Sequence, residues 1–204
     1  WPMVEMEENI MINASFLPTP ELVEQVKNLQ KDEAIFHEED IVAFYALEDQ
    51  EIDLNVFKAI ELEGEAFFIS HTWDIFSKNA KAIEADFELL TDGRKSAAIP
   101  NFVHCINKEQ IFIEEGATLL PSILNATDGP IYIGKDAEIM EGCMVRGPFA
   151  LCDHSTLKMG AKIYSGTTIG PHSKVGGEVN NSVIFGFSNK GHDGFLGNSV
   201  LGEW

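Results

Sequence analysis

The sequence predicts an α+β N-terminal segment followed by a left-handed parallel β-helix of hexapeptide repeats. Three observations lead there. Aliphatic residues recur at every sixth position through Ile133, Ile139, Val145, Leu151, Leu157, Ile163, Ile169 and Val175 without a miss. Mostly small residues fill the fourth position after each: Ala137, Cys143, Phe149, Ser155, Ala161, Thr167, Ser173 and Val179. Before about residue 105 no such period exists, and helical and strand patterns alternate instead.

The repeat is not a chance pattern. Leu, Ile and Val make up about a quarter of ordinary sequence, so eight consecutive hits have odds on the order of 10⁻⁴ or below. A heptad would mean a coiled coil, and a 3.6 period one helix face. Six is even, so each marked residue points to the same side of an extended chain. A large aliphatic fills a triangular coil and a small residue lets the chain bend. Three hexads close one coil of about eighteen residues, which pairs in parallel with the next. Left-handed winding departs from the usual right-handed crossover. The period extends back to Ile113 and Leu119, with Ala117 at the small position. Pro121 to Pro130 reads as an excursion. After Val175 the pattern breaks, Gly176 to Phe195 is off-register, and Leu196-Gly197 and Leu201-Gly202 resume it. An interruption that leaves a solenoid is a natural place for function.

The first part of the chain reads as mixed α/β. Met11 to Leu17 suggests a strand and its exit loop. Thr19-Pro20-Glu21 is a helix start: Thr can cap, Pro suits the first helical position, and Glu suits the positive end of the dipole. Leu22, Val26 and Leu29 then recur at helical spacing. Ile41 to Leu47 is a buried strand candidate. Thr72 to Leu90 predicts one further helix with Phe76, Ala80, Ile83 and Phe87 on a stripe, ended by Thr91-Asp92-Gly93. The expected domains are 1–105 and 106–204.

Composition narrows the function classes. The formal net charge is −19 over 204 residues, which argues against nucleic acid or an anionic membrane as partner. No apolar run approaches the roughly 20 residues that cross a bilayer, and the acidic start W-P-M-V-E-M-E-E lacks a basic leader. Cys105, Cys143 and Cys152 are odd in number and lack C-x-x-C spacing, against a disulfide framework or structural zinc. A cytoplasmic protein is expected. The chain starts at Trp1 without an initiator Met and stops at Trp204 within the repeat, as a piece of a longer chain would.

Several residues are candidates for chemistry. His192 lies in Lys190-Gly191-His192-Asp193-Gly194-Phe195, on accessible backbone within the interruption. A histidine exchanges protons near neutral pH and could deprotonate an amine or hydroxyl nucleophile. The bland alternative is an idle loop histidine. His154 and His172 are eighteen residues apart, so they stack on adjacent coils. A ladder with a third ligand would hold zinc, but naive counting places Lys190 third. A surface ladder is therefore the default and no metal ligand is assigned. Arg146 stacks over Tyr164 by the same count, as a cation–π contact would. Cys152 beside His154 faintly suggests a nucleophile–base pair, and Cys143 reads as packing.

The residues also carry a family resemblance. Gly176 to Trp204, G-G-E-V-N-N-S-V-I-F-G-F-S-N-K-G-H-D-G-F-L-G-N-S-V-L-G-E-W, resembles the acetyltransferase half of bifunctional N-acetylglucosamine-1-phosphate uridylyltransferase/glucosamine-1-phosphate acetyltransferases, in their divergent bacterial and archaeal form. In that family a Glu precedes the site His by fourteen residues, and an aromatic and L/V-G-D/N follow. Glu178, His192 and Phe195-Leu196-Gly197-Asn198 keep this spacing. W-D-I-F-S-K-N at Trp73, G-P-I-Y-I-G at Gly129 and R-G-P-F at Arg146 extend the resemblance upstream.

The resemblance implies that the N-terminal segment is the tail of a nucleotidyltransferase-like α/β domain and that the β-helix is an acyltransferase scaffold forming a homotrimer. It implies acetyl-CoA as donor, with a site that is incomplete in this chain so that this piece alone is not expected to be active, and an amino-sugar phosphate as acceptor. It also implies Mg2+ for the nucleotidyltransferase half, whose Gly-rich phosphate loop is not in this chain. His192 would be the base, with Glu178, Asn180, Lys190, Phe195 and Arg146 toward substrate. Phe195 stands where the family has a Tyr, and Asn180 where it has a phosphate-binding Lys. Each change removes a polar contact of a kind worth about 1.5–3 kcal/mol when charged. Lys190, Arg146 or Lys158 would compensate. Two alternatives stay open: a non-catalytic trimerising or regulatory β-helix attached to a nucleotidyltransferase, and a zinc-dependent β-helix hydratase of the carbonic anhydrase type.

Overall fold

The computed structural model describes residues 7–47 and 57–203. Trp1 and Trp204 lie outside them. The chain divides into two compact units, the first ending at Ser70 and the second beginning at His71.

In the first unit β1 (Glu8–Ile12) is followed by α1 (Pro20–Asn28), β2 (Glu33–His37), β3 (Asp40–Leu47) and β4 (Lys58–Glu61). The sheet order is β1-β3-β2-β4; β3 runs antiparallel to both β1 and β2, and β4 parallel to β2. The start of α1 follows its sequence signal: Thr19 Oγ1 accepts the Leu22 N–H at 3.2 Å, and Pro20 opens the helix where its missing N–H costs nothing. Leu22 and Leu29 turn inward onto Ile35, Val42 and Ala43.

In the second unit two helices precede the solenoid, where one was expected from Thr72 to Leu90. These are α2 (Asp74–Ser77) and α3 (Asn79–Thr91), broken at Lys78. Asn79 explains the restart. Its amide is buried, donates to the Gly166 carbonyl at 2.8 Å and accepts from Thr168 Oγ1 at 3.0 Å. That locks the first turn of α3 to the solenoid, and Ile83 buries one turn on. The repeat therefore begins near 105, but the segment from 71 onward already belongs to the same compact unit.

The solenoid strands are short. In chain order they are β5 (His104–Ile106), β6 (Ile111–Ile113), β7 (Thr118–Leu119), β8 (Ile123–Asn125), β9 (Ile131–Ile133), β10 (Glu138–Ile139), β11 (Met144–Arg146), β12 (Phe149–Leu151) and β13 (Thr156–Leu157). Then come β14 (Lys162–Ile163), β15 (Thr167–Ile169), β16 (Lys174–Val175), β17 (Glu178–Asn180), β18 (Val183–Ile184), β19 (Asn189–Lys190), β20 (Phe195–Gly197) and β21 (Val200–Leu201). Every third strand pairs in parallel, giving three sheets and about five turns of a left-handed parallel β-helix. We call them face 1 (β5-β8-β11-β14-β17-β20), face 2 (β6-β9-β12-β15-β18-β21) and face 3 (β7-β10-β13-β16-β19).

The core is the expected one. All eight residues of the six-residue period, Ile133 to Val175, are at most 2% exposed. Fully burying such a side chain contributes roughly 1.5–3 kcal/mol. Serines at the small positions stitch successive coils: Ser155 Oγ donates to Gly170 O at 2.7 Å, and the Ser173 and Ser188 N–H groups donate to the hydroxyls of Ser155 and Ser173.

Two expectations are corrected. Pro121 to Pro130 is not an excursion. Leu124 is fully buried and pairs in register with Val145 and Cys105, so β8 is an ordinary strand and only the corner before β9 carries extra residues. Nor does Gly176 to Phe195 leave the scaffold. β17, β18 and β19 pair with β14, β15 and β16 like any other strands. The sequence period fails there because the coil is contracted: Val175 and Val179 face inward only four residues apart, and Val179 and Ile184 only five.

Candidate functional site

Face 1 gathers the most candidates. Its strands alternate, with Val145, Ile163, Val179 and Leu196 turned into the core. The outward positions are therefore Met144 and Arg146, then Lys162 and Tyr164, then Glu178 and Asn180, then Phe195. Register places Met144 beside Lys162, Lys162 beside Glu178, and Glu178 beside Phe195. Asn180 lies opposite Gly197. Four residues named from sequence, Arg146, Glu178, Asn180 and Phe195, thus share one outer face. Phe195 is 67% exposed, so it forms an apolar projection rather than part of the core.

A shallow depression of about 280 Å³ opens on this face between Ile123, Asn125, Met144, Arg146, Lys162 and Tyr164. Arg146 reaches Asp128 at 3.2 Å, and both partners are more than half exposed. Such a pair is worth about 0–1 kcal/mol, so a bound anion can recruit the guanidinium. Arg146 and Tyr164 line the same depression, as the coil count implied, but the guanidinium's polar partner is Asp128. Lys162 was not singled out from sequence. Nothing in the linear pattern marks an outward lysine as different from any solvated one; only the strand register shows that it stands between Met144 and Glu178.

His192 lies at the corner between β19 and β20, in the segment Gly191 to Gly194 that leads onto face 1, and is exposed. Two lysines hold this corner. Lys158 Nζ donates to Gly191 O at 2.7 Å. Lys190 Nζ donates to Gly176 O at 2.7 Å and to His192 O and Gly194 O at 2.9 Å each. An ammonium has three donors, so that of Lys190 is fully used by backbone carbonyls. The structure therefore gives Lys190 a place under the His192 corner, not one reaching toward a phosphate. Gly177 lets these groups close up: a Cβ there would come within 2.7 Å of Gly194 O and 2.8 Å of Lys190 Nζ.

The histidine ladder exists on another corner. The His154 and His172 rings stack 4.8 Å apart at 15°, and Phe187 continues the stack at 4.8 Å and 13°. The third member is thus an apolar ring, not Lys190 as naive counting had it, because the contracted coil shifts the register. Among the described residues no group of three or more His, Cys, Asp or Glu is gathered where it could hold a metal ion. The zinc reading gains no support from the donors present. Cys152 is no better placed as a nucleophile. Burial first, then the charges of Asp153 and Asp86, push its thiol up to about 11, leaving it protonated at neutral pH.

Comparison with known proteins adds one finding. Residues 1–95 match the family model of the sugar nucleotidyl transferases. The match spans the described first unit together with α2 and α3, and ends before the solenoid begins. This part of the chain is similar to a sugar nucleotidyltransferase domain, and with the β-helix behind it the chain fits part of an enzyme of nucleotide-sugar synthesis. No curated protein matches the chain. Among the described residues no helix is long and apolar enough to cross a membrane.

Proposed function

We propose that the β-helix transfers an acetyl group from acetyl-CoA to the amine of an amino-sugar phosphate, within a cytoplasmic enzyme whose other half is a Mg2+-dependent sugar-1-phosphate nucleotidyltransferase. One observation carries the reading: His192 stands exposed at the corner leading onto the face that holds Arg146, Lys162, Glu178, Asn180 and Phe195. In the proposed step the imidazole takes a proton from the neutral sugar amine as the amine nitrogen attacks the thioester carbonyl. A C–N bond forms, the C–S bond breaks, and the imidazolium returns the proton to the departing thiolate. Arg146 and Lys162 supply positive charge for the sugar phosphate, in place of the lysine that Asn180 replaces. Phe195 offers an apolar ring against the sugar. The groove is shallow on one chain, so a neighbouring copy in a homotrimer completes it.

The test is isothermal titration of the full-length protein, carrying both halves, with acetyl-CoA and with glucosamine-1-phosphate, coupled to thiol release on mixing. Binding of both, and a loss of turnover of about 10²-fold or more in His192→Ala, are expected, since a positioned base contributes about 10²–10⁴. Absence of binding, or full turnover in His192→Ala, contradicts the proposal.

A second reading has its own support. Asn180 lacks the positive charge and Phe195 the hydroxyl expected toward a phosphate, as they would if the β-helix served only to trimerise and regulate the nucleotidyltransferase. Nucleotidyl transfer without acetyl transfer in a chain carrying both halves would favour it.

A further inference from the structure

Lys190 occupies a position that every regular coil gives to an aliphatic side chain. On face 3 the inward register runs Leu119, Ile139, Leu157, Val175 and then Lys190. The four aliphatics are between 0 and 4% exposed. A lysine there gives up apolar burial and desolvates part of an ammonium, so packing alone disfavours it. Its ammonium folds onto three carbonyls, those of Gly176, His192 and Gly194. Lys158 takes a fourth, that of Gly191. Three of the four peptide carbonyls between Gly191 and Gly194 thus point at two cations. A segment of two glycines with His192 and Asp193 between them would otherwise have wide backbone freedom.

We infer that Lys190, seconded by Lys158, is the positioning residue for His192: it fixes the Gly191–Gly194 backbone so that the imidazole is presented at the edge of face 1. The inference rests on the acetyl-transfer reading for its purpose, but its geometry is independent of that reading. A local rule broken without a packing gain is where a functional constraint is expected. Lys190 acts through His192 and touches no substrate. Fixing the backbone matters because a displacement of about 1 Å in a reacting group can cost about 10²-fold in rate.

The discriminating variant is Lys190→Met. Methionine suits the aliphatic register and keeps the length of the side chain, but it cannot hold the carbonyls. Two readouts are taken on the intact chain. Amide hydrogen exchange at residues 191–195 reports the backbone whether or not the protein is an enzyme, and is expected to speed up about tenfold or more. Thiol release with acetyl-CoA and glucosamine-1-phosphate is expected to lose about 10²-fold in kcat with little change in the KM for the donor, while the melting temperature does not fall. Lys190→Arg, which keeps a cation and several donors, is expected to recover part of kcat. Lys158→Met, which loses one contact, should show the same pattern more weakly. Unchanged exchange at 191–195 in Lys190→Met overturns the inference. So does a fall in melting temperature that accounts for all the lost turnover, with normal kcat in the molecules that remain folded. A wild-type protein that shows no acetyl transfer sinks the functional reading instead, and leaves the exchange measurement to judge the lysine.

Discussion

The solenoid contains two kinds of coil. From Ile131 to Val175 the inward positions keep the six-residue spacing, and almost every one is a buried aliphatic or small residue. From Gly176 to Leu201 the strands hold the same three sheets, yet inward residues stand four, five or six apart, through Val179, Ile184, Lys190, Leu196 and Leu201. The difference teaches what contraction does. A six-residue edge leaves room for one aliphatic and one small residue, and the coil becomes packing alone. In the contracted coils the carbonyls of Gly176 and Gly194 meet at one corner, and a cation rather than a methyl group satisfies them. The regular coils carry the packing, and the contracted ones hold His192, the base of the proposed reaction.

The largest effect that can break this comparison is in the core. Leu157→Ala, fully buried in a regular coil, is expected to cost about 2–5 kcal/mol in urea denaturation. Leu196→Ala, only partly buried in the contracted region, should cost clearly less. Equal losses would show that the two kinds of coil are packed alike. Next comes the clamp from α3 to a regular coil. Asn79→Ala removes one hydrogen bond each way and leaves the Gly166 carbonyl without its donor, an expected loss of about 1–3 kcal/mol by the same assay.

Smaller again is the contrast between two glycines on one corner. Gly160 has φ +69° and nothing within 4 Å of an added Cβ, so Gly160→Ala should cost about 1–2 kcal/mol from backbone strain alone. Gly177 has φ +77° and the Lys190 ammonium in the way, so Gly177→Ala should exceed it and should also slow acetyl transfer. If the two melt alike, the close packing under His192 has no energetic weight. The smallest effect concerns acid stability. The hydrogen bond from Arg94 holds the Glu114 carboxyl below the usual range. A depressed folded value means that the stabilisation is present above the unfolded value, about 4.3, and is lost as pH falls through the folded one. Glu114→Gln should lower stability at neutral pH, flatten the profile through that acidic window, and match the wild type below it.

The regular coils were legible because their period is long, unbroken and tied to one physical demand, an aliphatic at every inward position. The contracted coils were not, because a change of one or two residues in edge length erases the period while the pairing persists. That is why Gly176 to Phe195 reads as a departure and proves to be three ordinary strands, and why Phe187 rather than Lys190 stacks on His172. Leu124 was hidden for the same reason: extra residues at one corner put it out of phase. At the site, His192 was visible from its glycine-flanked position and from the resemblance, as were Arg146, Glu178, Asn180 and Phe195. Lys162 needed the sheet register. What Lys190 holds needed the coordinates, since nothing in a sequence distinguishes a lysine that reaches into solvent from one that folds onto three carbonyls.

The most direct test compares histidines from the two kinds of coil in one assay. Thiol release from acetyl-CoA with glucosamine-1-phosphate is measured for the wild type, His192→Ala and His154→Ala. The prediction is a loss of about 10²-fold or more for His192→Ala and a rate within about twofold of wild type for His154→Ala, whose ring stacks on an exposed ladder away from face 1. Equal rates in all three, or a loss at His154 as deep as that at His192, would contradict the assignment of the chemistry to the contracted coils.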